Sequence, residues 1–190
     1  MTYWRKCYQR ENKKLSCHWY KDIMLNMAQE SDDTFLSGKI VADFGCGPRN
    51  TLGWINSASL KLGLDVLAEK YIEFDMSSYG TVYPIVTENN IALPDNFVDI
   101  LFTMNALDHV DNLNKICSEI NRIIKTDGHL IASFNLNEPF SWTEPQTLTE
   151  EKLKETLLNN FNIISERRAA FSNSGKAYDN FNKDLPVDVQ

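Results

Sequence analysis

A chain of 190 residues, 43% of them hydrophobic and ten of them phenylalanine, is long enough for one domain that buries a core without disulfides or metals. Its net charge of -7 argues against general nucleic-acid binding, which rests on neutralising phosphates with Lys and Arg. No run of about 18 apolar residues occurs and MTYWRKCYQR at the start lacks an apolar signal core, so neither membrane insertion nor export is expected and the cytoplasm is the expected setting.

Residues 1–37 read as one or two polar helices carrying aromatics, Trp4, Tyr8, Trp19 and Tyr20 among them, closed by the turn-prone Ser31-Asp32-Asp33. The basic residues crowded there, Arg5 to Lys21, read as a solvated helix surface. Lys39 to Phe44 is a short β-prone run ending in glycines, and Pro48 suits the first turn of a helix, where its missing N–H costs nothing. Lys61 to Val66 is a second strand candidate, followed by the helix-like LAEKY. Val82 to Thr87 is a third, confined to a sheet edge by Pro84.

Phe97 to Thr103 is a nearly continuous apolar run of the kind buried on both faces of a parallel sheet. Leu113, Ile116, Cys117, Ile120, Ile123 and Ile124 then form one helical stripe, which Gly128 is predicted to terminate before a fifth strand over His129 to Phe134. Thr149 with Glu150 and Glu151 predicts an N-cap and acidic first turn, and Asn162 to Arg167 a sixth strand. Beyond Ala170 the chain is too polar to predict an element. The division is therefore a helical cap over 1–37, a core over 38–170 and a polar tail over 171–190.

Strands alternating with helices predict an α/β fold with a mostly parallel sheet, helices on both faces and a ligand crevice at the carboxyl ends of the strands. The loop VADFGCGPRN sits at such an end. A pyrophosphate-bearing cofactor wants G-x-G-x-x-G, but the sixth position counted from Gly45 is Asn50, so the dinucleotide fingerprint is broken. A ligand with an amino-acid end needs bare backbone N–H groups, which Gly45 and Gly47 can give, and an acid facing its ammonium or holding the loop, which Asp43 can give. Asp65, about 20 residues after the glycines, is placed for the two hydroxyls of a ribose. Cys46 puts a small side chain between the glycines. Cys7, Cys17, Cys46 and Cys117 form no C-x-x-C pair and no histidine stands at ligand spacing, so no metal site is expected.

The series Asp43-x-Gly45-x-Gly47-Pro48, Gly63-Leu64-Asp65, Leu93-Pro94-Asp95, Asn105-Ala106-Leu107-Asp108-His109-Val110 and Glu119-Ile120-x-Arg122 resembles the class I S-adenosylmethionine-dependent methyltransferases. It is most similar to the small bacterial branch with a GCGP loop and an N-x-LDHV segment, over about Lys39 to Arg167. The resemblance implies a Rossmann-like sheet, with S-adenosyl-L-methionine as cofactor and S-adenosyl-L-homocysteine as product. Gly45, Cys46 and Gly47 then line the methionine part, Asp65 takes the ribose, Glu88 or Asn89 meets the adenine amine, and Asn105 to His109 borders the methyl group. The family's final reversed strand has no candidate here, so that edge is expected to be missing or irregular.

Asp108 and His109 are the candidate catalytic bases, each with a plain structural role as a competitor. Tyr20, Glu138 and Trp142 are the candidate acceptor contacts, and Trp142 with Glu138 and Glu144 would suit an amine-bearing molecule. The expected activity is methyl transfer to a small-molecule metabolite. A cofactor-fold partner or regulatory protein is the alternative, and a nicotinamide-dependent oxidoreductase the third.

Overall fold

The computed structural model describes residues 1–168 except 16 and 77–78. Two helices open the chain, α1 (Thr2–Arg10) and α2 (Tyr20–Ala28), followed by a 3-10 turn at Asp33–Leu36 capped by the Asp32 carboxylate. The main sheet holds β1 (Ile40–Phe44), β2 (Leu60–Leu64), β5 (Val98–Met104) and β6 (Ile124–Ser133) in the order β2-β1-β5-β6, all parallel. A separate two-residue hairpin, β3 (Val86–Thr87) and β4 (Asn90–Ile91), precedes β5. The helices α3 (Leu113–Ile123) and α4 (Glu150–Thr156) follow β5 and β6.

The two faces of the sheet are covered by different parts of the chain. Val41, Ile100 and Phe102 pack against Met24 of α2 and against Leu36, Leu52 and Ile55. Ala42, Phe44, Leu62, Leu64 and Leu101 pack against the α3 stripe and Leu153 of α4. All five predicted stripe residues Leu113 to Ile123 are buried. Asn112 caps α3, its side chain accepting from Lys115 N. Glu119 is buried on the same helix, accepting from Ile91 N at 2.9 Å and from both sides of the Arg122 guanidinium, which in turn donates to the carbonyls of Ile91 and Leu93. That cluster fastens the hairpin to α3.

Four expectations change. No helix follows the glycine loop: residues 48–59 are turns, Asn50 is left-handed at φ 52, and Thr51 is tied back to Asp43. The third strand does lie at the edge beside β2, but as a single bridge between Leu62 and Val82, which Pro84 prevents from lengthening. The α3 helix ends at Ile123 and β6 starts at once, so Gly128 lies inside the strand, not after the helix. A Cβ there would stand 2.8 Å from Ile124 Cγ2 and 3.0 Å from two carbonyl oxygens, at the point where the β5–β6 register shifts. Residues 162–167 form no strand, and Ile164 is 82% exposed because no sheet neighbour covers it. The predicted tail lies outside the described residues.

Leu101→Ala, which empties a fully buried site between β5 and α3, is expected to cost about 2–5 kcal/mol, whereas Ile164→Ala is expected to stay within about 0.5 kcal/mol. Urea denaturation of both variants checks this, and a large loss for Ile164→Ala would contradict the unpaired description of that segment.

Candidate functional site

Parallel pairing sends every strand's carboxyl end to one edge of the sheet, where Gly45–Gly47, Asp65, Asn105–His109 and the loop after Ser133 emerge. The turn after β1 needs its glycines for two reasons. Gly45 and Gly47 are left-handed at φ 78 and 56. A Cβ on Gly45 would also lie 2.3 Å from Ala106 Cβ, and one on Gly47 would lie 3.0 Å from Cζ2 of Trp4. Gly63 of β2 is bare for a similar reason, because Tyr83 and the Cys46 sulfur press against it.

Asp65 organises the middle of the site. Its carboxylate accepts from Gly47 N at 3.0 Å, Leu67 N at 2.8 Å and the Tyr71 hydroxyl at 3.3 Å, so an acid at the end of β2 holds the glycine turn at the end of β1. Burial raises its pKa, opposed by those donors. Asp43 is 1% exposed and bonded to the Thr51 hydroxyl. Burial pushes it up to about 7, with the Thr51 bond pulling down and the Asp65 charge adding to the rise. Its place in the structure is the hold on the loop, one of the two arrangements that the sequence left open. The Cys46 thiol is likewise pushed up, by burial and then by Asp43 and Asp65.

The N-terminal segment closes over this turn through residues that the sequence did not single out together. Arg49, 6% exposed, donates to both Glu11 oxygens at 2.8 and 2.6 Å, and its guanidinium lies 5.5 Å from the Trp4 ring centre and 5.1 Å from that of Trp19. Local sequence could not reveal this clamp, because its partners lie some 30 to 45 positions apart and the run around Arg5 reads as a solvated face. Tyr20 packs beside Met24 in the core below.

Farther along the edge, Asn105 is left-handed at φ 48 and accepts from Asn135 N at 3.0 Å, joining the loops after β5 and β6. Glu88 and Asn89 form the turn of the β3–β4 hairpin, with Asn89 accepting from Asn112 at 3.4 Å. Asp108 is buried, while His109 is exposed with Nδ1 2.7 Å from the Thr143 carbonyl. Burial raises Asp108, opposed by His109 and its own backbone amide and reinforced by Glu144 and Glu138. Glu138 accepts from Asn135 at 3.1 Å. Trp142 is 95% exposed with its ring edge on Phe140, so it and Glu138 are not drawn into one box.

Residues 42–132 match the family described as Methyltransferase domain, a segment that runs from β1 into β6 over just under half of the chain. That segment is similar to methyltransferase domains. Among solved structures, a methyltransferase of Haloferax volcanii in complex with the Trm112 methyltransferase activator is 17% identical, with 82% of this chain aligned to 70% of that one at a TM-score of 0.59. An S-adenosylmethionine-dependent methyltransferase of Aquifex aeolicus is also 17% identical, covering 80% of this chain and 86% of its own at 0.58. A Thermotoga maritima methyltransferase described as a possible histamine N-methyltransferase is 15% identical, over 84% and 75%, at 0.56. These likenesses establish the shared fold. No curated protein matches the chain in sequence.

The edge would fit an adenosyl amino acid in part: Gly45 is exposed at the end of β1 and the half-buried Asp65 carboxylate stands at the end of the adjacent β2, but the glycine N–H groups are not bare as expected, since Gly45 N donates to the Leu64 carbonyl and the buried Gly47 N to Asp65. No helix end adds its dipole there, since turns occupy the stretch after the glycines. No helix among the described residues is long and apolar enough to cross a membrane.

Folded Asp43 keeps its proton to about pH 7, while the unfolded chain releases it near the usual carboxylate value of about 4. Between those values the folded state binds more protons, so this group's contribution to stability falls as pH rises through that window and is level above it. Asp43→Asn is expected to flatten the decline between pH 5 and 7 by on the order of 2 kcal/mol, measured by urea denaturation across that range. An unchanged slope would place the Asp43 pKa in the ordinary range.

Proposed function

We propose that the chain transfers the sulfonium methyl group of S-adenosylmethionine to a small-molecule metabolite by in-line displacement. When bound, the cofactor supplies a methyl group that is already electrophilic, so positioning and exclusion of water are the protein's main tasks. In this reading Asp43, Gly45, Cys46 and Gly47 hold the methionine end, Asp65 the ribose, Glu88 or Asn89 the adenine amine, and Asn105 the reacting end. Tyr20, Glu138 and Trp142 face the acceptor. Residues 1–37 act as a cap on a core over 38–170.

The observation that carries the small-molecule reading is the closure of the N-terminal segment on the glycine turn, with Trp4 against Gly47 and Arg49 held by Glu11 between two indoles. A cap fastened in this way bounds the edge where an acceptor approaches, whereas a polymeric acceptor calls for an open groove. The carboxylates of Asp108, Glu138 and Glu144 on the neighbouring loops further oppose a phosphate backbone. Where the acceptor has a proton to lose, His109 is the group to take it: with Nδ1 donating to Thr143, its Nε2 carries the lone pair in the neutral ring.

A second reading is a cofactor-fold partner or regulatory protein with little turnover. The Haloferax neighbour, solved with an activator, and the internal satisfaction of Asp65 by Gly47, Leu67 and Tyr71 favour it. Incubation with methyl-labelled S-adenosylmethionine and a metabolite extract separates the two. Label in the small-molecule fraction is the expected result; binding of S-adenosylhomocysteine without any transfer would promote the second reading. Gly45→Val, whose Cβ meets Ala106, is expected to weaken that binding by at least about tenfold in calorimetry.

A further inference from the structure

We infer that Asp108, His109 and Glu144 form a binding site for one divalent transition-metal cation, with zinc(II) the ion best matched to their mixed imidazole and carboxylate donors. One donor atom from each of the three lies within 4.8 Å of the other two. Asp108 supplies the independent observation: it is 1% exposed, and apart from a contact with its own backbone amide neither of its oxygens has a hydrogen-bond partner among the described residues. A buried carboxylate left in that state is costly, and a cation coordinated to it removes the cost. Nor is Asp108 needed as a helix cap, because Asn112 fills that position on α3.

The surroundings orient the donors as an outer shell of ligands does. A carbonyl oxygen can only accept, so the 2.7 Å contact to Thr143 fixes the proton on Nδ1 of His109 and leaves Nε2 as the coordinating atom. Ser141 Oγ donates to Oε2 of Glu144 at 3.1 Å and leaves Oε1 open. The two segments that contribute the ligands are also tied through the main chain, Gln146 N donating to the Asp108 carbonyl at 3.1 Å and the Gln146 side chain to the Val110 carbonyl at 3.1 Å. Bonds of about 2.0–2.2 Å to a single ion bring tetrahedral ligands to about 3.3 Å of one another, a closing movement within reach of the partly exposed Glu144 side chain. This site goes beyond methyl transfer, and its occupancy would exclude Asp108 and His109 from taking a proton.

Zinc(II) titration of the metal-free full chain by calorimetry, with cobalt(II) absorption as the spectroscopic counterpart, tests the assignment. One zinc per chain is expected, weakened at least about tenfold by His109→Ala and by Glu144→Gln. Cobalt(II) should give visible bands that are lost in His109→Ala, without the intense near-ultraviolet absorption of thiolate ligation. Glu144→Gln alters a partly exposed side chain and its near-ultraviolet circular dichroism reports whether the fold is kept, so the test does not depend on an Asp108 variant. Absence of stoichiometric uptake by the unmodified chain would overturn the site, as would uptake insensitive to both substitutions or a thiolate signature pointing to the cysteines. S-adenosylhomocysteine binding measured on the same sample keeps the readings apart: its failure bears on methyl transfer, and failure of zinc uptake on the metal site alone.

Discussion

Gly45 and Ala106 come so close that one added methyl group would stand 2.3 Å from its neighbour, and most of the site follows from that contact. It locks the turn after β1 to the turn after β5, the two central strands of the sheet. With the turn fixed there, Gly47 N points at Asp65 just after the next strand, and Asn105, one residue before Ala106, reaches Asn135 in the loop after β6. Four loops from four strands are thus joined side by side through one missing side chain and two hydrogen bonds. Any shift of β1 against β5 would disturb all of them together.

The second tier is the clamp on the N-terminal segment. Arg49 follows the glycine turn in the chain and is satisfied by a carboxylate and two indoles from the first 20 residues. Its charge is therefore spent on closing the edge and does not reach out toward an acceptor. Arginine suits this place better than lysine, because a planar guanidinium can accept an indole on each face while its fork engages Glu11.

Much of the architecture was legible because it is governed by local periodicity. The apolar run before Thr103, the α3 stripe and the edge position imposed by Pro84 all correspond to the structure. The misread places are those where a tertiary contact outweighs a local signal. Pro48 suggests a helix start, but Thr51 is bonded back to Asp43 and Asn50 turns left-handed, so no helix forms. Gly128 looks like a helix end, yet it is the residue that lets β6 pass close to Asp99 and Ile124 at the register shift. Asn162–Arg167 has strand-like composition but no partner strand, and composition cannot create one. The place of the glycines, Asp43 and Asp65 at the carboxyl ends of β1 and β2 was readable from spacing. The grouping of Asp108 and His109 with Glu144 was not, since 35 residues separate its halves and only the pairing of β5 with β6 unites them.

The position of Cys46 has a chemical consequence. A protein that hosts an alkylating agent is exposed to modification of its own nucleophiles, and a thiolate is the most vulnerable of them. Cys46 occupies the turn proposed to hold such a compound, but its sulfur lies in a dry layer beside Gly63, with two carboxylates near enough to discourage loss of the proton. The same burial that lets the strands meet so tightly therefore passivates the loop against its own reagent.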